Sequence, residues 1–227
     1  MKKQEAEEPF SLRFVSGLEI GSVISSVLLT TWALMPLQQR HRWLAAVPAI
    51  LAVGLMLYSH RVRGERLGEI GFTTRGFWRA VRLVLPPTLA ACGVFAAIGY
   101  WAGSFHQTSN FRVNLLVVPV WALIQQYVLQ GFIYRRCREM LPNAGRAWPA
   151  ILAAAGLFAL VHAPNRALMI LTFCGAMIWS RVYERAPNLF ALALSHAAIS
   201  MMLMTSLPPW LLESMSVGYK HFLYQKF

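Results

Sequence analysis

Two histidines, three glutamines and a serine stand inside stretches otherwise built of leucine, alanine, valine and aromatic side chains. Gln125, Gln126 and Gln130 lie in WALIQQYVLQGFIYRR. Gln126 and Gln130 are four apart and share one helix face, while Gln125 is rotated by about 100° from Gln126. His162 ends the run FALVHAPN, one turn after Phe158 and just before Pro164, which stops or bends a helix, and Asn165 follows. His196 and Ser200 are four apart in ALALSHAAIS. Polar side chains in an apolar helix are costly to desolvate, so those that persist face the bundle interior and either bind neighbours or do chemistry. The bland reading is interhelical hydrogen-bond glue worth about 1 kcal/mol each. The sharper one is a single cavity in which residues from three helices meet. Two histidines and a water can hold zinc, but a catalytic zinc wants a third protein ligand. Neither Gln125 nor Ser200 is a good one and no HExxH spacing occurs, so no metal and no other cofactor is expected.

The elements that carry these residues read as membrane spans. The chain has 227 residues, 57% hydrophobic and 13% charged, with mean hydropathy +0.48, a balance suited to lipid rather than water. A span needs about 20 apolar residues. Seven such runs are expected, at 17–37, 43–59, 83–103, 111–134, 148–163, 168–182 and 187–207, with 210–219 an eighth short span or an interfacial segment. The fold class is therefore all-α, a polytopic membrane helical bundle of seven to eight transmembrane helices forming one domain over 1–227. The first run is too long for a signal-peptide core and is expected to be retained. Residues 67–82 mix aromatics with arginines as an interfacial amphipathic helix does. No internal repeat is visible.

The formal charge is +12, spread through short connectors rather than gathered in an aromatic-laced stripe, so no nucleic-acid partner is expected. Fifteen of the 21 lysines and arginines fall on alternate connectors that share the N-terminal side. The positive-inside rule then places the N terminus in the cytoplasm of a cell-membrane protein. All nine acidic residues are glutamates, and only Glu19 lies within an apolar run. Cys92, Cys137 and Cys174 match no metal spacing and read as packing residues.

The order and spacing of the polar motifs resemble the CPBP family of intramembrane proteases, which includes the CAAX endopeptidases and bacteriocin-processing and self-immunity proteins. Its Glu-Glu-x-x-x-Arg maps to Gln125, Gln126 and Gln130, its Phe-x-x-x-His to Phe158 and His162, and its His-x-x-x-Asn or Ser-like element to His196 and Ser200. The flanks GFIYRR and LGEIGFTTRGF are also similar, so the resemblance covers 67–207. It implies an endopeptidase acting on a membrane-associated peptide or protein, with the first glutamate as general base and the histidines holding the water or the oxyanion. Carried over, Gln125, His162 and His196 are the catalytic positions, and Gln126, Gln130, Phe158, Asn165 and Ser200 bind substrate or support the site.

The departure is in the first motif, where Glu, Glu and Arg have all become Gln. A carboxylate can take a proton from water; a neutral amide cannot. Removing both signs of a buried pair together leaves no charge uncompensated, which makes the change coherent. Three outcomes stay open. A histidine can serve as base, since imidazole titrates in the right range. Glu19 can supply a carboxylate, although an interfacial glutamate is its simpler reading. Or the protein binds without cutting, as a pseudoprotease acting as chaperone, immunity factor or regulator. A structural or transport role is a further class, for which no pseudo-symmetric halves are seen. His162 fits awkwardly, since it falls near the far end of its span while Gln125 and His196 fall near mid-membrane. A short, tilted or deep-starting span would reconcile them.

Overall fold

The structure is a computed structural model and describes residues 4–35, 42–106, 110–141, 146–212 and 215–224. Seven long helical elements occupy the seven expected places among these residues. Helix α1 (Gln4–Leu28) runs on as a π-helical turn, Leu29–Leu34; α2 is Ala46–Val62; α3 is the single turn Leu67–Ile70; α4 is Phe77–Trp101. Helix α5 (Phe111–Gln126) continues through a π-helical stretch, Tyr127–Tyr134, into α6 (Arg135–Met140). Then come α7 (Trp148–Leu160), α8 (Arg166–Arg185), α9 (Leu189–Ser206) and two short turns, α10 (Pro209–Leu212) and α11 (Tyr219–Tyr224). The far end of the first expected run, Pro36 and Leu37, lies outside the described residues.

Leu12–Leu34, Phe77–Trp101, Phe111–Met140 and Leu189–Ser206 are long and apolar enough to cross a bilayer, and α2 and α7 are shorter apolar helices. Large side chains on their outer faces are open, with Trp101 88%, Leu116 75% and Trp78 69% exposed. Apolar surface on that scale belongs against lipid. Trp78 and Trp101 mark the two ends of α4, as interfacial aromatics do. The protein is thus an all-α, multi-pass membrane bundle.

Two expectations change. Residues 67–82 do not form one interfacial helix, because Gly71 (φ 103°) and Gly76 (φ 70°) take left-handed conformations and cut the segment. What remains is α3, a turn, and the first residues of α4. At Gly71 a Cβ would also meet Leu189 and Tyr183 at 3.1–3.2 Å. Of 210–219, the described residues 210–212 and 215–219 form short turns rather than a span. Of the cysteines, only Cys137 is buried, Cys92 being half-buried and Cys174 exposed.

Helix α4 packs along α9, α5 lies on the other side of α9, α7 pairs with α8, and the α1–α2 hairpin rests on α6. The core centres on the π-helical stretch and α7, where Leu129, Phe132, Ile133, Ile151 and the small side chains of Ala150, Ala154 and Ala155 are buried together. Small residues let membrane helices approach closely. A close approach joins α4 to α9, where a Cβ on Gly99 would come within 2.6 Å of the Ser206 carbonyl oxygen. Gly99→Ala is expected to cost about 1–3 kcal/mol as an overpacked contact. Gly93→Ala, whose Cβ would meet nothing within 4 Å, is the control. A scanning-fluorimetry melt in detergent checks the pair: a Gly99→Ala midpoint matching the control would contradict the close approach.

One end of the bundle is fastened by charge. Arg136, fully buried, reaches Glu65 at 2.6 Å, Glu139 at 2.9 Å and Glu19 at 3.2 Å. Arg63 pairs with Glu19 at 2.9 Å and Glu139 at 3.2 Å, and Arg135 pairs with Glu65. Glu19 is therefore neither a loose interfacial carboxylate nor a base for the histidines. It is committed to two guanidinium groups that tie α1 to α2 and α6. On the same end Asn188 caps α9 and donates to the Thr73 carbonyl at 2.6 Å, and Tyr183 donates to the Ile70 carbonyl at 2.7 Å. The connector residues 61–82, 135–141 and 183–188 thus gather on one side.

Burial alone would raise the pKa of Glu65, in the connector after α2, but hydrogen bonds from His60, Arg136 and Arg135 outweigh it. They hold the carboxyl well below the usual carboxylate range. A folded pKa below the unfolded one stabilises the native state fully above the unfolded value, and that contribution drains away as pH falls toward the folded value. Melting temperature is expected to drop as pH is lowered from about 5 to about 3. Glu65→Gln should start lower and fall less over that window; an unchanged slope would remove Glu65 from the account.

Candidate functional site

A cavity of about 560 Å³ opens between α1, α4, α5, α7, α8 and α9. Its walls are mostly apolar, from residues such as Val27, Phe95, Val128, Leu171 and Ile199, and Gln125, Phe158, His162, His196 and Ser200 line it together. Five of the eight expected site residues, from three spans, therefore share one space.

His162 leaves the end of α7, and its Nδ1 lies 2.6 Å from the Phe158 carbonyl oxygen. A carbonyl only accepts, so Nδ1 carries the hydrogen and the neutral ring keeps its lone pair on Nε2. His196, in the middle of α9, has Nδ1 at 3.3 Å from Gln126 Nε2. An amide NH₂ only donates, so this Nδ1 accepts and the hydrogen sits on Nε2. The two imidazoles thus turn opposite characters outward: one acceptor, one donor. Phe158 joins them, with ring centroids 4.8 Å from His162 and 6.3 Å from His196.

Helix α7 has 13 residues, about 20 Å at 1.5 Å per residue, so the span that carries His162 is a short one, as a shared depth with Gln125 and His196 requires. Gln126 is fully buried behind His196 and its Oε1 has no hydrogen-bond partner among the described residues. Gln130 is fully buried too, with neither amide atom bonded among the described residues, and it is not part of the cavity wall. Asn165 also lies off the wall: it caps α8 by accepting from Leu168 N–H at 3.0 Å and donates to the Leu212 and Ser216 carbonyls at 2.8 and 3.2 Å. Its geometry is that of a joint between α8 and the C-terminal turns.

Sequence reasoning passed over Trp179, Ser195 and Thr88, which also line the cavity. Trp179 stacks on His196 with centroids 4.4 Å apart and planes 29° apart. No spacing rule flags a tryptophan in an apolar helix; the only available sign was Ser195 standing next to His196. The lining residues include no acidic side chain among those described.

The fold and the site define a multi-pass helical membrane protein with a polar cluster on an apolar internal cavity. Within it, residues 105–202 match the family described as type II CAAX prenyl endopeptidase Rce1-like. That stretch holds all three motifs and agrees with the CPBP resemblance. Searches of curated proteins and of solved structures returned no match.

Proposed function

We propose that this protein is a CPBP-type intramembrane endopeptidase homologue that takes a membrane-associated peptide or protein segment into the cavity, with His162 standing in for the missing carboxylate. The observation that carries this reading is the opposed character of the two imidazoles on one wall. Water donates a hydrogen to His162 Nε2; as its oxygen bonds to the scissile carbonyl carbon, the proton passes to the imidazole. The developing oxyanion is met by His196 Nε2–H and by the Gln125 amide, donors of the kind that stabilise such charge. His162 then gives its proton to the leaving amine as the C–N bond breaks. Ser200 and Phe158 shape the same wall, and Gln126 fixes the His196 tautomer from behind. The arginine distribution supports a cytoplasmic N terminus in the cell membrane.

The test is cleavage of membrane-anchored peptides by purified protein in nanodiscs, read by mass spectrometry. His162→Ala is expected to lose about 10²–10⁴-fold as a base and His196→Ala about 10²–10³-fold as an oxyanion donor. Cleavage indifferent to both histidines would overturn the reading.

The amide at Gln125 favours a second reading, in which the cavity holds its ligand without cutting it and the protein acts as a membrane chaperone, immunity factor or regulator. Binding of the same peptides with unchanged affinity in both histidine variants, and no product, would favour it.

A further inference from the structure

The cavity has a second set of polar residues whose hydrogens can be followed one by one. Thr88 Oγ1 donates to the Val84 carbonyl at 2.7 Å, which uses the only hydrogen it has. The 2.6 Å contact between Thr88 and Ser195 must then carry the serine hydrogen. Ser195 Oγ in turn accepts from the Trp179 indole N–H at 3.1 Å. The donors run one way, from Trp179 on α8 through Ser195 on α9 to the backbone of α4. In an apolar surround such a chain is strong and every member is satisfied.

We propose that Trp179 is a positioning residue for His196, with Ser195 and Thr88 as its anchor. The proposal rests on the reading of His196 given above and concerns how its ring is held. The indole stacks on one face of the imidazole, Phe158 meets the ring at 81°, and Gln126 occupies Nδ1. The edge left is Nε2, and the ring belongs to the cavity wall. A buried tryptophan needs a partner for its N–H. Here that partner fixes the plane of the indole and, through the stack, the plane of the imidazole. Packing alone would be served by any ring of similar size. The hydrogen-bonded chain adds a defined orientation, which is what a donor aimed at a developing charge requires.

The experiment is nitrogen-15 NMR of histidine-labelled protein in nanodiscs, with His162 and His196 assigned by substitution. Native protein is expected to give one sharp His196 signal with the hydrogen on Nε2. Trp179→Phe, which keeps a ring but loses the N–H, and Thr88→Val, which breaks the anchor, should broaden or split that signal while the His162 signal stays in place. Thr88→Ser should restore it. In whichever background cleaves peptide, Trp179→Phe should lower kcat about tenfold or more with KM within about threefold. A His196 signal unchanged in both Trp179→Phe and Thr88→Val overturns the clamp. Shifts of equal size at both histidines also overturn it, because they would mark a general loss of packing. If no background cleaves, the peptidase reading fails while the spectra still decide the clamp.

Discussion

Arg136→Ala is expected to cost about 3–5 kcal/mol, the scale on which breaking a buried ion pair from one side destabilises a fold. The guanidinium is fully buried, contacts Glu19, Glu65 and Glu139, and donates to Ser59 Oγ from Nε at 3.2 Å and Nη2 at 3.0 Å. Its removal leaves three carboxylates facing one another, two of them about nine-tenths buried. Arg63 and Arg135 compensate from the edges, since Arg63 reaches Glu19 and Glu139 while Arg135 reaches Glu65. Neither touches all three. Arg136→Lys keeps the charge but gives up the planar fork that serves several acceptors at once, so it should fall between native and alanine. The measurement is the melting midpoint in detergent with size-exclusion profiles for each variant. An alanine variant that melts with the native protein would mean the network is dispensable. The α1–α2 hairpin would then be held by the Arg63 pairs and apolar packing.

Placing a carboxylate at Gln125 is the second large expected change, a gain of about 10²–10⁴-fold in peptide cleavage over the native chain. Gln125 lines the cavity with both histidines, so on the proposed mechanism a carboxylate there would share the base role given to His162. Gln126→Glu should do less, because that side chain lies behind His196 and off the cavity wall, and its first effect would be to draw a hydrogen onto Nδ1. An uncompensated charge in an apolar interior is expensive, so Gln125→Glu alone should melt earlier than native. The triple change Gln125→Glu, Gln126→Glu and Gln130→Arg returns both signs of the pair and should recover part of that loss. Folded restored proteins that cleave no membrane-anchored peptide would count against a retained protease site and for a binding function.

The contrast between what hydropathy exposes and what it hides is clearest at Glu19 and Trp179. Seven helices were readable because lipid demands long apolar runs with their own hydrogen bonds satisfied. The polar residues within them were readable because lipid makes each one conspicuous. Glu19 was equally conspicuous, yet its partners Arg63 and Arg136 are distant in sequence and belong to segments that read as connectors. A charge pattern cannot say that two connectors fold inward onto a third helix. Trp179 was hidden for the opposite reason: an aromatic in an apolar helix has the ordinary composition of a core, and only geometry separates stacking from filling. Gln130 and Asn165 show the limit of motif spacing, since both stand at the expected positions and neither lies on the cavity wall. The left-handed Gly71 and Gly76, which break the segment expected to be one interfacial helix, follow from backbone conformation that the aromatic and arginine pattern does not encode.

The shortness of α7 reaches beyond the placement of His162. A 13-residue helix against a hydrocarbon layer of about 30 Å is a hydrophobic mismatch that local thinning of the bilayer would relieve. Such thinning would draw headgroups and their hydration inward, beside the end of the helix that carries His162. The same deformation that makes room for a short span would then bring solvent toward the proposed reaction centre, otherwise walled by apolar side chains. Turnover should accordingly fall as the acyl chains of the surrounding lipid are lengthened.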